Sequence, residues 1–164
     1  IEERLDYLRH FLEGYARFAR LPQPRMENVR WRPLLDEVRE LYPFDLEGEP
    51  PEEGTFDPGQ IQQVLINLLK NAHEAGGNGV AVAVDTAGGG TRLRVMDRGR
   101  GMSEETMRQA LLPFYTTKEG GTGLGLALCS EILEAHGGRL RLQAREGGGT
   151  RVRVLILKEG TAGT

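Results

Sequence analysis

The sequence predicts an α+β fold: a two-layer α/β sandwich with a mixed, mostly hairpin-connected sheet, helices on one face, and one bundle helix in front. Three observations predict it. Two pairs of short alternating runs each close on a glycine triplet, Gly88-Gly89-Gly90 and Gly147-Gly148-Gly149, as hairpins do. Helical patterns with one apolar side lie between and before these pairs, so they can cover one face of a sheet. A separate heptad stripe stands at the start of the chain.

Taken in order, Ile1, Leu5, Leu8, Leu12, Tyr15 and Ala19 form a heptad seam, widened by Phe11 and Phe18. Such a stripe is too apolar for an isolated helix and needs partner helices. Residues 1–21 are therefore read as the C-terminal part of a bundle helix. Leu21-Pro22-Gln23-Pro24 stops it, and residues 22–25 make a stiff linker. A domain over 26–157 follows, and 158–164 read as a tail. Met26 to Trp31 reads as a short strand. Pro33 opens a helix over Leu34 to Tyr42, and Pro43 to Gly54 is turn-rich with room for one short strand. Asp57-Pro58-Gly59-Gln60 is a strong helix start, with Asp57 as N-cap, Pro58 at N1 and Gln60 completing a capping box. That helix runs to about Ala75 and ends at Gly76-Gly77. The first hairpin follows. Asp97 to Gly121 is a long segment, helical around Glu104 to Leu111. Leu124 to Ala135 is a helix closed by His136-Gly137-Gly138, and the second hairpin spans Arg139–Ala144 and Thr150–Leu157.

Composition limits the function. The chain has 164 residues, 38% hydrophobic and 27% charged, enough for one ordinary domain and unlike a disordered tail. A net charge of -3 argues against a general nucleic-acid or membrane-surface binder. No apolar run approaches the roughly 20 residues of a spanning helix. The single cysteine, Cys129, fits a reducing compartment and reads best as a small buried hydrophobe. A chain that opens on Ile1 and runs straight into a helix pattern, without a signal peptide, reads as a piece of something longer. Arginine outnumbers lysine 18 to 3, a bias not separable from genome composition. Seventeen of the 23 glycines lie between Gly76 and Gly149, which marks working loops rather than low complexity.

Three segments carry chemistry. On the helix from Gln60 to Ala75, the residues Ile61, Val64, Leu65, Leu68, Ala72 and Ala75 share one side. Gln60, Gln63, Asn67, Lys70, Asn71 and Glu74 share the other. This is ordinarily a solvated face. Two asparagines four apart in a helix interior are mildly costly, however, and carboxamide oxygens can hold a hard divalent cation. Asp97-Arg98-Gly99-Arg100-Gly101-Met102 follows a strand. It reads first as a plain glycine turn, yet the acid can accept from an exocyclic amine while the glycines let a flat ligand approach. Pro113-Phe114-Tyr115-Thr116-Thr117-Lys118-Glu119-Gly120-Gly121-Thr122-Gly123-Leu124-Gly125-Leu126 leads glycines into a helix start, an anion site suited to phosphates. The dinucleotide-binding order is absent, as is a Gly-Lys-Ser/Thr phosphate loop.

In this order the segments resemble the ATP-binding domain of sensor histidine kinases, within the superfamily shared with DNA gyrase, Hsp90 and MutL. Asn67-Leu68-Leu69-Lys70-Asn71-Ala72 resembles its N box, and Asp97 to Gly101 its first glycine box. Pro113-Phe114-Tyr115 resembles the F box, Gly121 to Gly125 the second glycine box, and Gly148-Gly149-Thr150 the closing Gly-Thr motif. The resemblance runs from about Met26 to Leu157, and Phe-Tyr-Thr-Thr-Lys with Gly-Thr-Gly-Leu-Gly-Leu looks most like the nitrogen-regulatory subtype. It implies ATP and Mg2+ as cofactors. Asn71 would be the metal ligand with Asn67 beside it, and Asp97 would accept from the adenine amine, aided by Gly101. Thr150 would support the adenine end through Asp97 or a water. Lys118 and the amides of Gly121 to Gly125 would cradle the phosphates. The implied nucleotide set is Asn67, Lys70, Asn71, Asp97, Gly99, Gly101, Met102, Thr116, Thr117, Lys118, Gly121, Thr122, Gly123, Leu124, Gly125, Leu126 and Thr150, with Lys118 and Asn67 as catalytic candidates. Where gyrase and MutL carry a Glu that activates water, Asn67 is a poor base, which favours phosphoryl transfer over hydrolysis.

The same resemblance makes the first helix the tail of a dimerisation bundle. None of His10, His73 and His136 stands in the family's acceptor motif, so the chain would hold the donor site and lack the acceptor. The implied activity is ATP-dependent protein-histidine kinase. Its implied partners are its own phosphoacceptor domain in a homodimer and a response regulator receiver domain, with no nucleic acid and no direct membrane contact. The implied location is cytoplasmic, whether or not the parent is membrane-anchored. A superfamily serine kinase of the anti-sigma type and a non-catalytic ATP-binding module are the alternatives.

Overall fold

The computed structural model describes residues 5, 6, 8, 9, 12, 21–76, 79–112 and 125–157. The sequence folds as β1 (Glu27–Arg30), α1 (Trp31–Leu41), β2 (Asp45–Glu47), β3 (Glu53–Phe56), α2 (Pro58–Glu74), β4 (Val80–Ala87), β5 (Gly90–Asp97), α3 (Glu104–Gln109), α4 (Gly125–Ala135), β6 (Arg139–Ala144) and β7 (Thr150–Leu157). Five strands form one mixed sheet in the order β2-β4-β5-β7-β6, and β1 pairs with β3 in a small separate sheet. Three of the four pairings in the large sheet are antiparallel, and β2 lies parallel to β4.

The α+β architecture agrees with the expectation, and several details differ. Helix α1 starts at Trp31, before Pro33, because the first helical N–H groups need no intrahelical acceptor and proline is tolerated there. This leaves β1 at Glu27–Arg30. The turn-rich stretch holds one short strand, β2, and a further strand, β3, begins at its end and runs on to Phe56. The expected capping box at α2 is half made. The Asp57 side chain accepts from the Gln60 amide at 3.1 Å, but the Gln60 carboxamide donates to the Pro22 carbonyl at 2.9 Å. The Asp57 amide instead donates to His136 Nε2 at 3.1 Å. The two-residue turn Gly88-Gly89 has φ of 55° and 82° and joins β4 to β5, with pairing from Val80↔Asp97 to Ala87↔Gly90.

The core lies between the helices and one face of the large sheet. Helix α1 contributes Trp31, Leu34, Leu35 and Val38; α2 contributes Ile61, Val64, Leu65, Leu68, Leu69 and Ala72; α4 contributes Leu128, Cys129, Ile132 and Leu133. Val82, Val84, Leu93, Val95, Leu140, Val152, Val154 and Ile156 meet them from the strands. Trp31 and Phe56 stack with ring centroids 4.8 Å apart, next to Gly54, where a Cβ would lie 2.8 Å from the Phe56 ring. Burial pushes the Cys129 thiol up to about 12, so it behaves as the small hydrophobe its sequence context suggests. In the first helix Leu5, Leu8 and Leu12 are exposed, so among the described residues nothing covers that stripe.

Candidate active site

Helix α2 and the end of β5 build the site. Asn67 and Asn71 are half-buried on the polar side of α2, and Lys70 between them is exposed. The Asn67 Oδ1 accepts from Gln63 Nε2 at 3.0 Å, which orients the carboxamide and leaves it one further lone pair. Among the described residues, no group of three or more His, Cys, Asp or Glu could hold a metal ion. A cation here would rest on the carboxamide oxygens and on the oxygens of a ligand, which suits a hard ion such as Mg2+.

Asp97 is the last residue of β5 and only 6% exposed. Its Oδ1 accepts from the Gly99 amide at 2.9 Å and from the Thr150 amide at 3.2 Å. Both hydrogen bonds among the described residues fall on Oδ1, so a ligand donor has Oδ2 to address. A buried carboxylate held by backbone amides is a fixed acceptor, the chemistry an adenine amino group requires.

Glycines lock this acceptor against its neighbours. The Gly99 backbone crosses the end of α2 so closely that a Cβ there would lie 2.4 Å from the Ala75 carbonyl oxygen. The Arg100 amide donates to the same oxygen at 3.2 Å. Gly149 has φ of +97°, and a Cβ on it would lie 2.2 Å from the Asp97 carbonyl oxygen. Gly101, with φ of +72°, turns the chain away toward Met102, which is half-buried. Ser103 then caps α3, its hydroxyl accepting from the Thr106 amide at 3.1 Å.

Two arginines with no assigned role in the sequence hold the frame. Arg145 donates to the Asp97 carbonyl at 3.0 Å, and Arg98 donates to the carbonyls of Glu146 at 2.6 Å and Gly148 at 3.1 Å. Burial, with the nearby charges of Arg98 and Arg151, pulls Arg145 below its ordinary value. Their signal was their place beside the glycine motifs, but only the fold brings residues 48 apart together.

The sequence candidates thus divide in two. Asn67, Lys70 and Asn71 lie on α2, and Asp97, Gly99, Gly101, Met102 and Thr150 lie around its C-terminal end. Gly125 opens α4, and Leu126 packs against the core. Thr116, Thr117, Lys118, Gly121, Thr122, Gly123 and Leu124, with the F box, lie outside the described residues.

Comparison with known proteins identifies the family and the fold. Residues 56–160 match the family described as histidine kinase-, DNA gyrase B-, and HSP90-like ATPase, and the chain belongs to it. The nitrogen regulation protein NtrY of Azorhizobium caulinodans is 32% identical over 166 residues, which takes in 91% of this chain and 22% of that protein. Full-length ShkA, solved in complex with AMPPNP, superposes with a TM-score of 0.81 at 26% identity, over 94% of this chain and 36% of that one. The nucleotide-free catalytic domain of the histidine kinase ThkA gives a TM-score of 0.68 at 30% identity, over 82% of this chain and 96% of that domain. The chain spans about a fifth of the length of NtrY. Among the described residues no helix is long and apolar enough to cross a membrane.

Proposed function

We propose that residues 26–157 are the ATP-binding catalytic domain of a two-component sensor histidine kinase, donating the ATP γ-phosphoryl group to a histidine outside this chain. The observation that carries the reading is the junction of Asp97 with the end of α2. The Gly99–Ala75 contact ties the loop that orders the buried acceptor to the end of α2, one helical turn after Asn71 in the chain, which supports reading adenine and phosphate functions as neighbours. The AMPPNP in ShkA and the histidine-kinase identity of ThkA support it.

In this reading Asp97 accepts from the adenine amino group, and the Thr150 and Gly99 amides keep its carboxylate in place. Gly101 allows close approach of the base, beside Met102. Asn71, with Asn67 next to it, holds Mg2+, which neutralises phosphate charge when bound. Lys70, Thr116, Thr117, Lys118 and the Gly121–Leu126 segment surround the phosphates, and Lys118 offsets charge developing on the transferred group. Catalysis is positioning and charge neutralisation, with no covalent step on this chain. Residues 1–21 are the end of the dimerisation helix, 22–25 a linker and 158–164 a tail. The partners are the phosphoacceptor domain of a homodimer and a receiver domain, in the cytoplasm. The exposed Leu5, Leu8 and Leu12 favour this over an anti-sigma serine kinase, which has no preceding bundle helix.

Isothermal titration tests the site. ADP binding should strengthen with Mg2+ in the wild type, and Asn71→Ala should lose that metal-dependent part. Equal Mg2+ dependence in wild type and variant would overturn the assignment of Asn71.

A further inference from the structure

The face of the large sheet turned away from the helices carries a second feature. Side chains alternate along a strand, and Leu93, Val95, Leu140, Val152 and Val154 point into the core. Their neighbours Arg92, Arg94, Arg139, Arg141, Arg151 and Arg153 therefore share the opposite face. Strand register sets Arg94, Arg153 and Arg141 side by side across three adjacent strands. Arg92 and Arg139 flank Leu155 in the next row. Asp85 is bonded to Arg92 at 2.9 and 2.5 Å and lies 3.8 Å from Arg94, and Glu47 shares the face beyond Ala83 in the row of Arg94. The hydrogen bond of Asp85 with Arg92, and the charges of Arg92, Arg94 and Arg153, hold Asp85 below the usual carboxylate range, so it is already shared.

Ordinary explanations cover part of this. Arginines on β6 guard an edge strand against pairing, and arginine stems shield apolar strand surface. Neither requires guanidiniums in register on β5 and β7, which are interior strands. Like charges directly opposite one another destabilise a sheet. The chain as a whole carries a net charge of -3, so the concentration of positive charge here is local. Four of these arginines, Arg92, Arg139, Arg141 and Arg153, also line a cleft of about 390 Å³ with Leu155 and Gly88 in its walls. The cleft is shallow and open to solvent, with room for a small polar molecule laid along the arginines.

We propose that this cleft is a second ligand site, separate from the nucleotide site at Asp97, for a small multiply charged phosphate compound. The guanidinium forks of Arg139, Arg141 and Arg153 can bind phosphate oxygens in pairs, while Arg92, held by Asp85, adds its charge beside them. Leu155 and the stems of Arg92 and Arg139 supply an apolar floor. The proposal does not depend on the nucleotide reading.

The test is titration of this chain with two probes, inorganic tripolyphosphate and GTP, in Mg2+ with ADP in saturating excess. Wild type should bind at least one probe. Stronger binding of tripolyphosphate would identify a free polyphosphate as the ligand, and stronger binding of GTP a nucleotide. The double variant R141Q/R153Q should bind the probe at least about tenfold more weakly, since each lost charge-assisted contact carries about that factor. Its ADP affinity should be unchanged, and the probe should raise the Tm of wild type but not of the variant. No binding of either probe by wild type, or equal binding by wild type and variant, would overturn the site.

Discussion

Asp57 shows how much one side chain organises. Its carboxylate accepts from the Arg25 amide at 2.8 Å and the Gln60 amide at 3.1 Å, while its own amide is held by His136. Burial pushes its pKa up, but the amides of Arg25, Gln60 and Gly59 and the nearby His136 outweigh this, so the group sits below the ordinary value of an aspartate. A lowered native pKa means that the stabilisation is complete well above the unfolded value and fades as pH falls through the native one. Asp57→Ala should therefore cost about 1 kcal/mol at neutral pH. The difference from wild type should shrink in acid below the ordinary carboxylate value, and urea midpoints measured across the pH range check both points. The cap was legible because Asp-Pro-Gly-Gln is a local signal. His136 as its partner was not, since it lies 79 residues away; the other ring nitrogen, Nδ1, meets the Ile132 carbonyl at 2.8 Å and closes α4. Gln60 matched a local motif, but its Nε2 is drawn to the linker carbonyl of Pro22 and the Asp57 amide it would have accepted from is taken by His136.

At the scale of elements, glycines in similar sequence contexts do opposite things. Gly59 lies in the first turn of α2, and a Cβ there would make only an ordinary contact, 3.5 Å from Asp57. Gly59→Ala should stabilise the chain by about 0.5–1 kcal/mol through the unfolded state. Gly99→Ala should instead destabilise by at least about 1–3 kcal/mol, because overpacking against the Ala75 carbonyl must move backbone. It should also weaken ADP binding by displacing the acceptor loop. Thermal melts of the two variants check the opposite signs, and a shared sign would contradict the packing described. The number of glycines was readable in the sequence, and their clustering was read as working loops. Which of them are close-packed was not readable, because that depends on what crosses behind each. Both hairpins were legible from alternation and glycine turns. The parallel β2 was not, since its three residues carry no periodic signal and only pairing with β4 makes them a strand.

Over the whole molecule, the order of the glycine motifs was legible in the sequence, and the fold joins Asp97 to Thr150 by a hydrogen bond and Gly99 to the end of α2. The first helix ends its described part with Leu5, Leu8 and Leu12 exposed, as a helix awaiting bundle partners would. If the acceptor histidine lies outside, incubation of this chain with γ-labelled ATP should leave it unlabelled and release little phosphate. Adding a bundle fragment that carries the acceptor should produce acid-labile label on that fragment, weakly, because a split chain lacks the effective concentration of a linker. Label on His10, His73 or His136 of this chain would show that the acceptor had been misplaced. The sheet topology also orders the assembly of the fold in time. Strands β4 and β5 meet through a two-residue turn, a closure on the microsecond scale. Strand β7 must find β5 across the whole segment from Arg98 to Gly149, and its pairing from Gly90↔Leu157 to Met96↔Arg151 can be won only after that long loop has closed. The Asp97 carboxylate, which needs the Thr150 amide, is therefore completed late in folding. A nascent chain still missing its last strand has the proposed adenine acceptor in sequence but not yet in place.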